Sequence, residues 1–198
     1  LGIDIPDHMQ GKPFLGKQKT KPRQYVHGTV GRVDEVVETS RSVRDDRYLY
    51  IRNYRPHRPK MQYSHYSEQT DTRVELHRNA QSGELIGHSR QFMLPVKPAD
   101  ELYDTKADPH QVYNLANDPE YRHILERMRK EYRQWSQDIR DVCLVPEPEM
   151  LRRARKAGMT IYEWRQTNKR FPHQKVLNAA ELVGRSPSPE TLREKLHS

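Results

Sequence analysis

A single cysteine, Cys143, stands in the 198 residues, so no internal disulfide framework can staple the fold. That does not fix a compartment, because many exported bacterial domains carry no disulfide. Long apolar runs are missing as well: nothing approaches the roughly 20 residues a membrane-spanning helix needs. Apolar residues make up 33% of the chain and the mean hydropathy is −1.09. Such a composition predicts a thin core, a small sheet with helices laid on it. The opening LGIDIPDHMQGKPF has no initiator Met, no charged n-region and no apolar h-region, and reads as an interior segment with whatever precedes it missing.

Several site templates are absent too. There is no HExxH, no close Cys/His cluster and no EF-hand spacing, which argues against a transition-metal or dedicated calcium site within the chain. Gly87-His88-Ser89-Arg90-Gln91 lacks the final Gly of a nucleophile elbow, and Gly-rich phosphate loops are missing.

What is plentiful is positive charge. The formal net charge is +8 and the pI about 9.6, which leaves nucleic acid, anionic glycans and acidic membrane surfaces open as partners. Excess Arg on a surface equally serves solubility alone.

Residues 1 to 24, dense in Gly, Pro and Lys, read as an extended connector anchored by Ile3, Ile5, Phe14 and Leu15. QYVHGTV, SRSVRDD and RYLYIRNY follow as short β-rich runs, and Asp45-Asp46 makes a hairpin of the last two. In the third run Leu49 and Ile51 alternate with Tyr48, Tyr50 and Tyr54, which predicts a strand covered on both faces. YRPHRPKMQYSHY loses periodicity and becomes a loop, and 67 to 80 look helical with few apolar anchors.

ELYDTKADPHQVYNLANDPEY packs several signals into residues 101 to 121. Glu-Leu-Tyr-Asp is a short strand that sends Leu102 into the core, and Asp108-Pro109 starts a reversing turn. Asn114 holds local backbone groups while Leu115 plugs the turn. Asp118 is placed as an N-cap, with Pro119 at the first helical position. Tyr121, Ile124, Leu125, Met128, Tyr132, Trp135 and Ile139 then recur at spacings of three and four, which predicts a long amphipathic helix lying across the sheet. From 146 onward Gly and Pro separate short helical pieces at 149–157, 160–168, 172–184 and 189–197.

GIDIPDHMQGKPFLG, RSVRDDRYLYIRNY and ELYDTKADPHQVYNLANDPEY, in this order, resemble the C-terminal part of formylglycine-dependent sulfatases, on the bacterial branch near heparan N-sulfatases and arylsulfatases. The likeness covers about residues 1 to 140. It implies an α+β subdomain of an alkaline-phosphatase-like enzyme: an antiparallel sheet of about four strands packed by a long amphipathic helix, with a helical tail. The division it suggests is a connector over 1–24, the subdomain over 25–140 and a helical extension over 146–198.

The resemblance also implies that the formylglycine nucleophile, the calcium ion and the Lys and His groups around the sulfate belong to an N-terminal catalytic domain upstream, with no cofactor held by this chain. The nucleophile motif is Cys-x-Pro/Ala-x-Arg, whereas Cys143-Leu144-Val145-Pro146-Glu147 departs from it, so Cys143 reads as an ordinary semi-buried thiol. Leu49 stands where family members usually carry Lys. A periplasmic or extracellular location is implied in the same way.

In this family the C-terminal subdomain borders the substrate cleft. HGTVGRVDE resembles one of its loops: Arg32 has the planar fork for a carboxylate or sulfate, and Asp34 and Glu35 accept sugar hydroxyls. A surface turn with an internal ion pair accounts for the same residues. In the loop after the third strand, His57, Arg58, Lys60 and His65 stand among tyrosines, a composition suited to a sulfated sugar, although a single His is more often structural. Two readings follow: the accessory subdomain of a sulfatase acting on sulfate esters or N-sulfate, or a free-standing basic module for anionic glycans or nucleic acid. No nucleic-acid motif is present, and many Arg stand next to Asp or Glu.

Overall fold

The computed structural model describes residues 5, 6, 9, 11–167 and 169–184. Its centre is a four-stranded antiparallel sheet of β1 (Val26–Val30), β2 (Ser40–Arg44), β3 (Tyr48–Asn53) and β4 (Asp100–Asp104), paired in chain order. The β2–β3 hairpin forms because Asp45 turns its carboxylate onto the next backbone groups, accepting from the Arg47 and Tyr48 N–H at 2.8 and 2.6 Å. Gly28 permits the β1–β2 approach: a Cβ there would stand 2.6 Å from Ser42 Oγ.

The register sets His27, Val43, Tyr50 and Leu102 side by side across the sheet. Onto this row lies the long helix α2 (Arg122–Ile139), whose Leu125, Met128 and Tyr132 close the core with Val43, Tyr50 and Leu102. An α+β fold with four strands under one amphipathic helix is therefore what the sequence builds.

The 101–121 stretch seats that helix. Asn114 Oδ1 accepts from the N–H groups of Leu102 and Ala116 at 2.9 and 3.0 Å, and its Nδ2 donates to the Asp100 carbonyl at 3.1 Å. Asp108 Oδ2 takes the Val112 and Tyr113 N–H groups at 2.6 and 2.8 Å. Asp118 caps a one-turn 3-10 segment by accepting from Glu120 N–H at 2.9 Å, with Pro119 at its first position, and α2 continues from it. Leu115 packs partly buried against the core.

Two expectations fail here. The face of the sheet away from α2 is covered only in part: Tyr103, Glu101 and Asn53 are buried there and Leu49 and Ile51 partly buried, but Val26 and Val30 on the edge strand are 52% and 49% exposed. The connector is not anchored either, because Ile5, Phe14 and Leu15 all face solvent; Ile3 lies outside the described residues. The apolar residues are there, but the described chain offers no surface to receive them.

Between β3 and β4 the chain makes a long excursion carrying α1 (Asp71–Ser82), a helix with no buried side chain that ends at Gly83 in the left-handed conformation, φ 77°. After α2 the tail forms α3 (Glu147–Lys156), α4 (Ile161–Arg165) and α5 (His173–Ala180). The expected piece at 189–197 lies outside the described residues. Thr160 and Glu163 build a reciprocal capping box for α4. Val142, Val145, Met150, Ala154, Trp164 and Phe171 make a second core, while Leu177 on α5 enters the first.

Charge binds the tail to the sheet. Arg52 has no solvent exposure and donates through Nη2 to the carbonyls of Glu181 and Val183 at 3.1 and 2.5 Å. Asp100 is held by Tyr50 OH at 2.6 Å and Arg129 Nη2 at 2.7 Å, with Arg52 Nη1 at 3.5 Å. Burial pushes the Asp100 carboxyl up, but these donors and the Arg52 and Arg129 charges outweigh it and hold its pKa below the ordinary value. A folded-state pKa below the unfolded one means stability that is present above the unfolded value of about 3.9 and lost as pH falls through the folded value. Urea midpoints are therefore expected to drop below about pH 4, and Asp100→Asn to make that acid limb shallower; an unchanged limb in the variant would remove Asp100 from the account.

Candidate functional site

A cleft of about 580 Å³ opens where the β1–β2 connection, the segment after β3 and the start of the tail converge. Gly31 and Arg32 form one wall, Tyr54, Arg55 and His57 a second, and the run from Cys143 to Glu147 a third. The third wall is held by Asp141, which caps a 3-10 turn by accepting from Cys143 N–H at 3.1 Å. The same carboxylate receives Arg41 from β2 in a buried two-point bridge, Nε to Oδ2 at 2.6 Å and Nη2 to Oδ1 at 3.1 Å.

Arg32 is exposed and presents its fork to Glu147, with Nε to Oε2 at 2.7 Å and Nη2 to Oε1 at 3.3 Å; Nη1 donates to the Asp34 carbonyl at 3.0 Å. The hydrogen bond and charge of Glu147 raise the Arg32 pKa, and Arg32 in turn lowers that of Glu147. The ion pair of Arg32 is thus with the tail, not with Asp34 or Glu35 inside its own turn. Val33 and Val36 close that turn with reciprocal backbone bonds of 3.0 and 2.9 Å, and Asp34 takes φ 49°, a left-handed conformation that Asp tolerates.

Of the six residues expected at a site, the structure brings Arg32 and His57 to the same cleft. Glu35 and His65 meet each other away from it, a Glu35 carboxylate oxygen accepting from the His65 backbone N–H, the first cause of the low Glu35 pKa. Arg58 faces solvent and reaches Gln62 Oε1 at 3.4 Å. The Asp34 side chain makes no hydrogen bond among the described residues, and Lys60 is spent on Glu101 at 2.6 Å.

Glu147 was not legible as a site residue, because only the fold shows that the tail closes on Arg32; its signal is a carboxylate at the start of a helix in VPEPE. Cys143, read as semi-buried, is an exposed residue on the cleft wall. Desolvation by its surroundings, with Asp141 adding to it, raises the thiol pKa, the opposite of an activated nucleophile.

A second, smaller hollow of about 370 Å³ lies on the open face of the sheet. Its charges are compensated within it: Lys97 pairs with Glu38, and Glu101 receives Lys60, Tyr103 OH and Asn53 Nδ2. Among the described residues no group of three or more His, Cys, Asp or Glu side chains is placed to hold a metal ion. No helix among them is long and apolar enough to cross a membrane.

No family model matches the chain. It is 41% identical over 151 residues to an ulvan-active sulfatase of Formosa agariphila, covering 76% of this chain and 25% of that protein. A second ulvan-active sulfatase of the same organism is 28% identical over 147 residues, 71% of this chain and 27% of its own. Human N-sulphoglucosamine sulphohydrolase is 42% identical over 45 residues, 22% of this chain and 9% of its own. Among solved structures, a 2-O GAG sulfatase is similar with a TM-score of 0.42 and 24% identity, over 71% of this chain and 22% of that one.

The chain is the C-terminal part of a sulfatase-family protein. It spans about a quarter of the length of the ulvan-active relatives it matches.

Proposed function

We propose that this chain is the non-catalytic, specificity-setting subdomain of an enzyme that hydrolyses sulfate esters or N-sulfate groups on a glycan. The observation that carries the reading is the 41% identity to an ulvan-active sulfatase over three quarters of the chain, joined to a cleft that presents Arg32 and His57 together. The family's formylglycine and calcium do not fit the residues here. Cys143 is followed by Leu144-Val145-Pro146-Glu147 rather than the nucleophile motif, and the described residues offer no metal cluster. Both groups belong to an N-terminal catalytic domain of the same polypeptide, and residues 1–198 alone are inactive. A periplasmic or extracellular location accompanies this reading. Residues 1–24 connect to that domain, 25–140 form the subdomain and 146–198 the extension. The open sheet face with Leu49 and Ile51, and the exposed connector residues, are where the catalytic domain packs.

Within the cleft, Glu147 occupies the fork of Arg32 that an anionic sugar group would take. A sulfate or uronate entering there displaces one carboxylate with another anion, so Arg32 keeps a charge-assisted partner throughout. His57 borders the same space, and Asp34, Glu35, Arg58 and His65 form a polar rim outside it in this proposal. None of them touches the reacting bond; their part is to hold the neighbouring sugar.

The test is sulfate release by the full-length protein from a panel of sulfated glycans, beside a small aryl sulfate. Arg32→Ala is expected to raise KM for the preferred glycan about tenfold, the equivalent of one charge-assisted hydrogen bond of about 1.5 kcal/mol, and His57→Ala to change the order of preference. Glu147→Gln, which removes the competing charge, is expected to lower KM. Turnover of the aryl sulfate stays at the parental level in all three. Variants that match the parent on every substrate reduce the cleft to scaffold.

A further inference from the structure

Between Asp7 and Asp34 the sequence holds Lys12, Lys17, Lys19, Lys21, Arg23 and Arg32, and no Asp or Glu. Several cations elsewhere are matched: Arg41, Arg47, Arg52 and Arg127 each meet a carboxylate. Among the described residues Lys12, Lys17, Lys19 and Lys21 have no side-chain partner. Uncompensated charge alone would be a solvated surface, but here it borders a formed groove.

That groove, of about 530 Å³, lies between the connector and α2. Lys12 and Lys21 flank it, and Tyr25, His27, Glu131 and Trp135 line it. The aromatic wall is rigid. His27 stacks flat on Trp135, centroids 4.6 Å apart and planes 3° from parallel, and Tyr25 OH accepts from Arg127 Nη1 at 2.7 Å. Glu131 uses one oxygen on His27 Nε2 at 3.2 Å, and its other oxygen has no protein hydrogen bond among the described residues. An adjoining hollow of about 540 Å³, which shares Lys12 and Lys21 with the groove, adds Lys19.

Cations at the edge, with aromatic rings and one carboxylate acceptor in the lining, suit a polymer of hydroxyl-bearing rings with well-spaced negative charges. A phosphate on every unit suits the groove less, because the Glu131 carboxylate is part of its lining. β1 carries His27 in this groove and leads to Gly31 and Arg32 in the cleft, over five residues at about 3.4 Å each.

We propose that this groove is a second, non-catalytic binding site for a sulfated or carboxylated polysaccharide, which β1 directs toward the Arg32 cleft. The proposal rests on the glycan reading above and adds a tethering site to it. A polymer held there dissociates more slowly and presents successive units to the cleft, the gain in effective concentration that linked sites give. A small aryl sulfate, too short to reach the groove, gains nothing.

The experiment compares the full-length protein with a Lys12→Glu, Lys19→Glu, Lys21→Glu triple variant, whose exposed side chains carry no part of the core. Binding of fluorescent dextran sulfate, neutral dextran and poly(A) RNA is measured at rising salt, together with turnover of an aryl sulfate. The expected result is dextran sulfate binding at least tenfold weaker in the variant and less sensitive to salt, no binding of neutral dextran by either, and unchanged aryl sulfate turnover. The Lys→Arg triple variant is expected to keep the parental affinity. Equal binding of dextran sulfate by parent and Lys→Glu variant overturns the site, and poly(A) binding as tight as dextran sulfate overturns its assignment to a glycan. Polymer binding that follows the lysines while no glycan releases sulfate upholds the groove and overturns the catalytic reading; sulfate release with lysine-independent binding does the reverse.

Discussion

Asp141→Ala is expected to lower the unfolding free energy by about 3–5 kcal/mol, the range for breaking a buried ion pair from one side. The Arg41 and Asp141 side chains are 2% and 5% exposed, so removing the carboxylate strands a guanidinium that water cannot reach. Arg41 Nη1 would keep its carbonyl partners, Val30 at 3.0 Å and Ser40 at 2.7 Å, but these do not neutralise it. The variant also loses the cap on Cys143 N–H, and with it the run that walls the cleft. Urea unfolding measures the stability, and a loss below about 1 kcal/mol, the value of an exposed pair, would contradict it. A double replacement of Arg41 and Asp141 by apolar residues of matching volume is expected to be milder than either single change.

Phe171→Ala is expected to cost about 3–5 kcal/mol, the usual penalty for emptying a buried phenylalanine site. Phe171 has no exposure and packs on Trp164 with ring centroids 5.2 Å apart, at the heart of the tail's core. The form of the loss is as informative as its size. Leu177 sits in the sheet's core and Glu181 accepts from Tyr54 OH at 2.9 Å, so the tail and the sheet share buried contacts. One shifted transition by fluorescence and circular dichroism is therefore expected. Two separated transitions would mean that the tail folds as its own unit.

Where the sequence was readable, its signals were local. The 101–121 stretch carried its own turn chemistry, and Asp108, Asn114 and Asp118 each bond the backbone a few residues away. The α2 stripe had enough turns for its period to show. Buried Ser136, which faces His173 Nε2 at 3.3 Å, lies on that stripe, but as a polar residue it adds nothing to the apolar period.

What escaped notice was set by distance in sequence. Arg32 meets Glu147 across 115 residues, and Arg41 meets Asp141 across 100. No local pattern announces such pairs. Tyr48, Tyr50 and Tyr54 alternating with Leu49 and Ile51 suggested two covered faces, yet the described chain covers the second only in part, leaving Val26 and Val30 exposed. An apolar residue in a strand shows that a surface is meant to be buried; it does not show by what. The candidate site was half legible for the same reason: Arg32 and His57 share a cleft only because the tail closes it, while Glu35 and His65 are drawn into a contact of their own.

The central proposal is that this chain serves a catalytic domain and holds no catalyst itself. Turnover of a chromogenic aryl sulfate by purified residues 1–198, followed across a sizing column beside the full-length protein, tests it most directly. The account predicts sulfate release that follows the full-length protein and none that follows the chain. Activity co-eluting with residues 1–198 would contradict it.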